Sequence, residues 1–289
     1  MHMQCGVHTL SLPCAGSINR PNIMGILNIT PDSFSDGGSF YRGNKVSLDL
    51  VLRRAEQMLS EGADILDVGG ESTRPGANPV SEHEELDRVV PVVEALVQSF
   101  GAVVSVDTSS AKVIRASANS GASIINDVRA LQRDGALAAA AASGLPVCLM
   151  HMQGQPVSMQ KAPEYTNVVV NVIEFLRERL NACLEAGLSE DRILVDPGFG
   201  FGKTLEHNLA LLANLSSLSV LGCPILVGLS RKSLLMQMLN RPVDDRLPGS
   251  LALAMVAAER GASIIRVHDV AATYDVLRVF DAIKNQQRI

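Results

Sequence analysis

The chain has 289 residues, 47% of them hydrophobic, which is enough for one large domain or two smaller ones. No apolar run approaches the roughly 20 residues of a membrane span, and the N-terminal MHMQCGVHTLSLPCAG lacks the basic flank and apolar core of a signal peptide, so no membrane partner is expected. A net charge of −5 without a Lys/Arg run argues against nucleic acid as a ligand, and five scattered cysteines with no C-x-x-C pair fit a reduced, cytoplasmic protein.

Residues 1–20 read as a short N-terminal hairpin. The first apolar run after it is NIMGILN (22–28). It is followed by DILDVGG (64–70), VVSVD (103–107), SIIND (123–127), PVCLMH (146–151), RILVD (192–196), PILVG (224–228) and SIIRVH (263–268). Continuous Val- and Ile-rich runs belong to parallel strands buried on both faces. Segments with helical spacing separate them, such as SLDLVLRRAEQMLSEGA (47–63) and SEHEELDRVVPVVEALVQSF (81–100). Several end in Gly-Ala, and glycine just past the last turn stops a helix. SEHE at 81–84 reads as a capping box, with Ser81 as N-cap and Glu84 reaching back. Strands and helices alternate without a break, which predicts an α/β fold: a (β/α)8 TIM barrel, one domain over 21–289, with the N-terminal hairpin plugging its lower end. An open doubly wound sheet would show fewer strands and a glycine-rich turn after the first.

Two connections exceed the roughly 2 to 6 residues of ordinary βα loops. They are TPDSFSDGGSFYRGN (30–44) and GESTRPGANPVS (70–81), and their charged and aromatic content predicts mobile lids over an active site. Barrel sites lie at the C-terminal strand ends. Here those ends carry Asn28, Glu71 to Arg74, Asp107, Asn126 with Asp127, His151, Asp196, Ser230 to Lys232, and Arg266 with His268. A lone Asp after a strand is often the N-cap of the next helix, and Asp107 and Asp127 are open to that reading. No cap is needed at Lys232 or Arg266, so the full ring points to a ligand site. Asp107, Asn126 and Asp196 suit a flat heterocycle with several N–H donors. Lys232, Arg266 and His268 suit an anion, helped by a helix beginning near Asp269. His2, His8, His83 and His207 read as surface residues, and His151 stays open between a functional and a structural role.

DPGFGFGK-T (196–204) ends like a phosphate-binding P-loop. That pattern needs a glycine where Pro197 stands, and Gly198 comes one residue too late. Lys203-Thr204 therefore reads as the start of a helix. No zinc motif and no nucleophile elbow is present.

Taken together, NITPDSFSDGG (28–38), GGESTRPGA (69–77), SVDT (105–108), INDV (125–128), LMHMQG (149–154), DPGFGFGK (196–203), GLSRKS (228–233) and RVHDV (266–270) resemble the bacterial dihydropteroate synthases, over nearly the whole chain. The resemblance implies a transferase of folate biosynthesis. It would join 4-aminobenzoate to (7,8-dihydropterin-6-yl)methyl diphosphate, with Mg2+ as cofactor and sulfonamides as competitors, in a homodimer. It implies a pterin diphosphate site of Thr73, Asp107, Asn126, Met150, Asp196, Lys232, Arg266 and His268, with Asn28 at the metal. It implies an aminobenzoate site of Phe34, Arg74, Pro75, Phe201, Ser230 and Lys232. The catalytic set would be Asp36, Arg74, Asp107, Asp196 and Lys232. Two other readings stand beside it: a catalytically silent pterin-binding homologue, and a pterin-dependent methyltransferase-type barrel. The presence of Asp36, Arg74, Lys232 and both lids favours the synthase.

Overall fold

The structure, a computed structural model, describes residues 1–13, 19–30, 40–42, 45–72, 80–154, 159 and 163–286. Eight parallel strands form the central sheet: β1 (Asn22–Asn28), β2 (Ile65–Gly69), β3 (Val104–Asp107), β4 (Ile124–Asp127), β5 (Val147–Met150), β6 (Ile193–Asp196), β7 (Leu226–Gly228) and β8 (Ile264–Val267). They are hydrogen-bonded in the order β6-β5-β4-β3-β2-β1-β8-β7. The last seam closes through a parallel bridge between Val195 and Ile225, with the Val195 amide donating to the Pro224 carbonyl at 3.0 Å. A sheet closed in this way leaves no edge exposed to pairing with another chain.

The expected alternation of strand and helix is present. The helices are α1 (Leu48–Ser60), α2 (Glu82–Phe100), α3 (Ala111–Asn119), α4 (Ala136–Ser143), α5 (Val168–Glu185), α6 (Leu205–Ala213), α7 (Ser233–Leu239), α8 (Leu247–Glu259) and α9 (Val270–Gln286). α1 buries Val51, Ala55 and Met58, one helical stripe turned to the sheet. Ser81 caps α2, and the reciprocal bond from its backbone amide to Glu84 completes the capping box. Among the described residues no helix is long and apolar enough to cross a membrane.

Two apolar layers result. The larger lies between the outward strand residues and the helices. The smaller fills the lower barrel, where Met24, Ile65, Ile124, Cys148, Leu194, Leu226 and Ile264 converge. An antiparallel hairpin, His2–Cys5 against His8–Ser11, closes that end and adds Met3, Cys5, Leu10 and Leu12 to this layer. With the lower end filled, the upper end is where a ligand can enter.

Candidate active site

Period-two alternation sends every second strand residue into the barrel. The register pairs Asn28 with Gly69, Gly69 with Asp107, Asp107 with Asn126, and Asp196 with Met150. Asn28, Asp107, Asn126, Met150 and Asp196 thus share the upper interior, and Gly228 pairs with Arg266 on the far side. Asn28, Asp107, Phe201, Ser230, Lys232 and Arg266 are among the residues lining a cavity of about 460 Å3 at this end. Phe34, Asp36, Thr73, Arg74 and Pro75, with most of both long connections, lie outside the described residues.

The floor is an ionic chain. Arg266 donates through Nε to Asp67 Oδ2 at 2.7 Å and through Nη2 to Asp107 Oδ2 at 3.3 Å. Asp67 is fully buried and also accepts from Asn126 Nδ2 at 3.4 Å. Sequence reasoning missed Asp67 because it lies in mid-strand, one inward step below the strand ends. Its signal was a lone carboxylate within the apolar run ILDVG, where no helix needs a cap. Burial, offset by the Arg266 charge, pushes the Asp107 carboxyl up to about 8, with further repulsion from Asp67. Burial also raises Asp196 against the pull of Lys232, and lowers the Lys232 ammonium to about 8 despite Asp196.

Asp127 does not cap α4, whose N-cap is Gly135, but it caps the turn that follows β4. Its Oδ1 accepts from the Arg129 amide at 2.8 Å, and its Oδ2 from the Leu131 amide at 2.9 Å. Ser110, not Asp107, caps α3. Arg129 in turn holds Glu71 at 3.0 Å, tying the base of the second long connection to the end of β4. The ends of β7 and β8 are joined by Ser230 Oγ, 3.0 Å from His268 Nδ1 and accepting from the His268 amide at 3.2 Å. α9 begins at Val270, directly after them, and its N-terminal amides add partial positive charge beside Arg266 and His268.

The stretch 196–203 is not a phosphate cradle. Thr204 caps α6, with the His207 amide donating to its hydroxyl, so His207 belongs to a capping box rather than to open surface. Asp196 Oδ1 accepts from the Gly198 amide at 2.7 Å. A Cβ at Gly198 would overlap the His151 carbonyl oxygen, and one at Gly202 would overlap the Gln153 carbonyl oxygen, so only glycine lets the loops after β5 and β6 touch. The Lys232 ammonium bonds the Phe199 carbonyl and lies 4.7 Å from the centre of the Phe201 ring.

A side-chain carbon at Gly69 would lie 3.7 Å from Asn28 Oδ1 and 3.9 Å from Asp107 Oδ2, so both oxygens border one small space. Among the described residues no cluster of three or more His, Cys, Asp or Glu could hold a metal by itself. Asp107 Oδ2 faces the Arg266 guanidinium, so Asn28 Oδ1 is the donor that suits a hard divalent cation completing its shell with water and substrate phosphate.

The model of the family described as pterin binding enzyme matches residues 24–268. The chain belongs to the pterin-binding enzyme family. Within the family it is similar to the dihydropteroate synthase of Haemophilus influenzae, 55% identical over 268 residues, which span 93% of this chain and 96% of the relative. The Escherichia coli K12 dihydropteroate synthase is 54% identical over 92% of each chain. Among solved structures, Yersinia pestis dihydropteroate synthase with a sulfonamide drug complex superposes with a TM-score of 0.92 at 53% identity, covering 99% of this chain and 100% of the other. Xanthomonas albilineans dihydropteroate synthase with 4-aminobenzoic acid gives 0.88 at 46% identity, over 98% of each. This family member is an enzyme, a transferase of the dihydropteroate synthase kind, and it acts in folate biosynthesis.

Proposed function

We propose that the upper barrel binds (7,8-dihydropterin-6-yl)methyl diphosphate and 4-aminobenzoate and joins them with loss of diphosphate. The observation that carries this is the mixed lining of one barrel mouth: Asp107, Lys232, Arg266 and His268 border its cavity, and Asn126, in register with Asp107, and Asp196 close strands at the same end. Asp107, Asn126 and Asp196 accept the N–H groups of the pterin ring and offer it an amide, while Met150 packs on its face. Arg266, His268, Thr73 and the start of α9 receive the diphosphate. The bond from the methylene carbon to the diphosphate oxygen breaks first, and its electron pair leaves with the diphosphate. Preorganised donors at such a leaving group are each worth about 3 kcal/mol. The cation left on the methylene is delocalised into a ring that faces two carboxylates.

The aminobenzoate ring lies against Phe201, with Ser230, Lys232, Phe34, Arg74 and Pro75 around it. Its neutral amine nitrogen forms the new C–N bond and then gives up a proton to the released diphosphate. An arylamine lone pair is free at neutral pH, so no strong base is required. Asp36 and Arg74, on the two long connections, close over the pair and keep water from the cation. Asn28 would hold Mg2+ together with the diphosphate; when bound, the ion supplies charge neutralisation on the leaving group.

The reading extends to a homodimer, through the exposed Met236, Met238 and Leu239 of α7 and the exposed Val279 and Ile283 of α9. It also extends to the cytoplasm, in keeping with free thiols at Cys5, Cys148, Cys183 and Cys223 among the described residues. The test is formation of dihydropteroate from the two substrates, with and without Mg2+, by the natural chain and by Asp196→Asn. Turnover with both substrates, strongly reduced in the variant, is expected. An unchanged variant would sink the pterin-pocket assignment.

A further inference from the structure

Lys203 stands where a P-loop lysine would reach out to phosphate, yet its ammonium turns back into the protein and is 3% exposed. Nζ donates to the Gly198 carbonyl at 2.9 Å and the Phe201 carbonyl at 3.0 Å, and lies 2.9 Å from His151 Nδ1. It also approaches the His151 carbonyl at 3.4 Å. One amine thus grips the loop after β6 at two points and the end of β5 at a third. His151 is itself fixed, edge-on to the Phe175 ring at 4.9 Å.

The other polar groups of this loop are held in the same way. Asn208 Oδ1 accepts from the Gly200 amide at 2.7 Å, and the Tyr165 hydroxyl donates to the Gly202 carbonyl at 2.7 Å. The Phe199 carbonyl accepts from Lys232. Five consecutive residues, Gly198 to Gly202, are therefore each tied to a side chain. Of these ties, those of Lys203 bracket the segment that carries the Phe199 carbonyl and the Phe201 ring. These are the two features that meet the Lys232 ammonium from this side.

An isolated buried ammonium is costly, and its hydrogen bonds offset only part of that cost, since burial still lowers the Lys203 amine well below its ordinary range. An apolar side chain of similar length would fill the space, but would leave the Phe201 carbonyl and an imidazole nitrogen without this donor and the Gly198 carbonyl with the Phe201 amide alone. The loop would then be free to relax on the side facing the cavity.

We propose that Lys203 is a positioning residue for the amine-binding half of the site. By holding the Gly198 and Phe201 carbonyls it sets the Phe201 ring against which the aminobenzoate lies. The inference rests on the reading that Phe201 walls the aminobenzoate, so its test carries Phe201→Ala as a separate arm.

Steady-state kinetics in both substrates, with calorimetric binding of the pterin diphosphate, are measured for Lys203→Met and Phe201→Ala. Lys203→Met should raise KM for 4-aminobenzoate about tenfold, as expected for a wall displaced by a fraction of an ångström to an ångström. Its pterin affinity should stay within about twofold, because Asp107, Asn126 and Arg266 are untouched and Asp196 is held by the pairing of its own strand with the neighbouring one. A purely structural lysine would weaken both substrates together or neither, and either result overturns the proposal. If Phe201→Ala raises KM while Lys203→Met does not, the Lys203 role fails and the Phe201 reading stands. If Phe201→Ala leaves KM unchanged, the Phe201 reading falls and the Lys203 role with it. Lys203→Gln, whose polar head is one bond shorter, is judged by the same criteria if Lys203→Met does not fold.

Discussion

Arg266 Nε lies 2.7 Å from Asp67 Oδ2, at the floor of the cavity and bridging β8 to β2, the two strands that flank β1. The carboxylate is fully buried, while the guanidinium side chain keeps 20% of its exposure. Asp67 therefore aims the residue proposed to receive the diphosphate. Asp67→Ala removes the partner of a largely buried cation, a change that costs roughly 3 kcal/mol when the charge is left inside. The expected result is a thermal midpoint lowered by roughly 5–10 °C, together with weaker diphosphate binding. Asp67→Asn should lose less stability. A scanning melt of both variants, with calorimetry for inorganic diphosphate, checks the pair. Full stability and full affinity in Asp67→Ala would contradict this role.

The Asp107 carboxyl, raised to about 8 by burial, leads to a second expectation. A pterin ring that donates N–H groups to it needs the carboxylate form. Below about pH 8 the ligand-free site holds a proton that binding must release. Affinity for the pterin should therefore rise with pH toward 8, and binding at pH 7 should release a proton to the buffer. Calorimetry in buffers of different ionisation enthalpy counts that proton. Lys232 also titrates near 8 and loses its positive charge as pH rises, where Asp107 gains a negative one, so Asp107→Asn is the separating control. The variant should show little proton release.

Strand-end chemistry was legible because period-two alternation and the barrel's polarity place Asp107, Asn126, Asp196 and Arg266 at one end whatever the helices do. The same rules left Asp107 and Asp127 indistinguishable, since both are aspartates closing β-runs. Only the path of the chain after Asp127, which brings the Arg129 and Leu131 amides to its oxygens, separates a turn cap from a ligand group. Asp67 escaped notice because its role depends on Arg266, which is 199 positions away in sequence. Lys203 escaped because a lysine side chain has enough torsional freedom to point outward or fold back. What turned it inward was a trio of acceptors, two of them backbone carbonyls whose direction no residue type announces. His151, left open in sequence, is resolved by that trio as a buried partner.

His151 also sets an acid limit on stability. Burial first, and the neighbouring Lys203 charge second, lower its imidazole from 6.5 to about 3. The unfolded chain binds a proton there between those values and the folded chain does not. The stabilising contribution is therefore complete above pH 6.5 and lost as pH falls toward about 3. The slope approaches ~1.4 kcal/mol per pH unit within that window. Urea midpoints at several acidic pH values should fall faster for the natural chain than for His151→Asn, which lacks the titrating ring. Parallel slopes would show that other groups govern acid stability.

The hairpin at the lower end makes a prediction that separates stability from catalysis. Met3 is fully buried and packs with Met24, Ile65 and Ile124 at the narrow end of the barrel, whereas the reacting groups all lie at the opposite strand ends. Met3→Ala removes several methylene-sized groups from a layer that close packing and the sheet itself hold rigid, so the space is incompletely refilled. The expected loss is about 2–4 kcal/mol in unfolding free energy, read from denaturant midpoints at constant m-value. The strand ends are held by the barrel hydrogen bonds and by the Asp67–Arg266 and Asn126–Asp67 contacts, none of which touches Met3. At a temperature where the variant stays folded, kcat and both KM values should match those of the natural chain. A specific change in either KM would show that the plug is mechanically coupled to the mouth, which the layered packing does not predict.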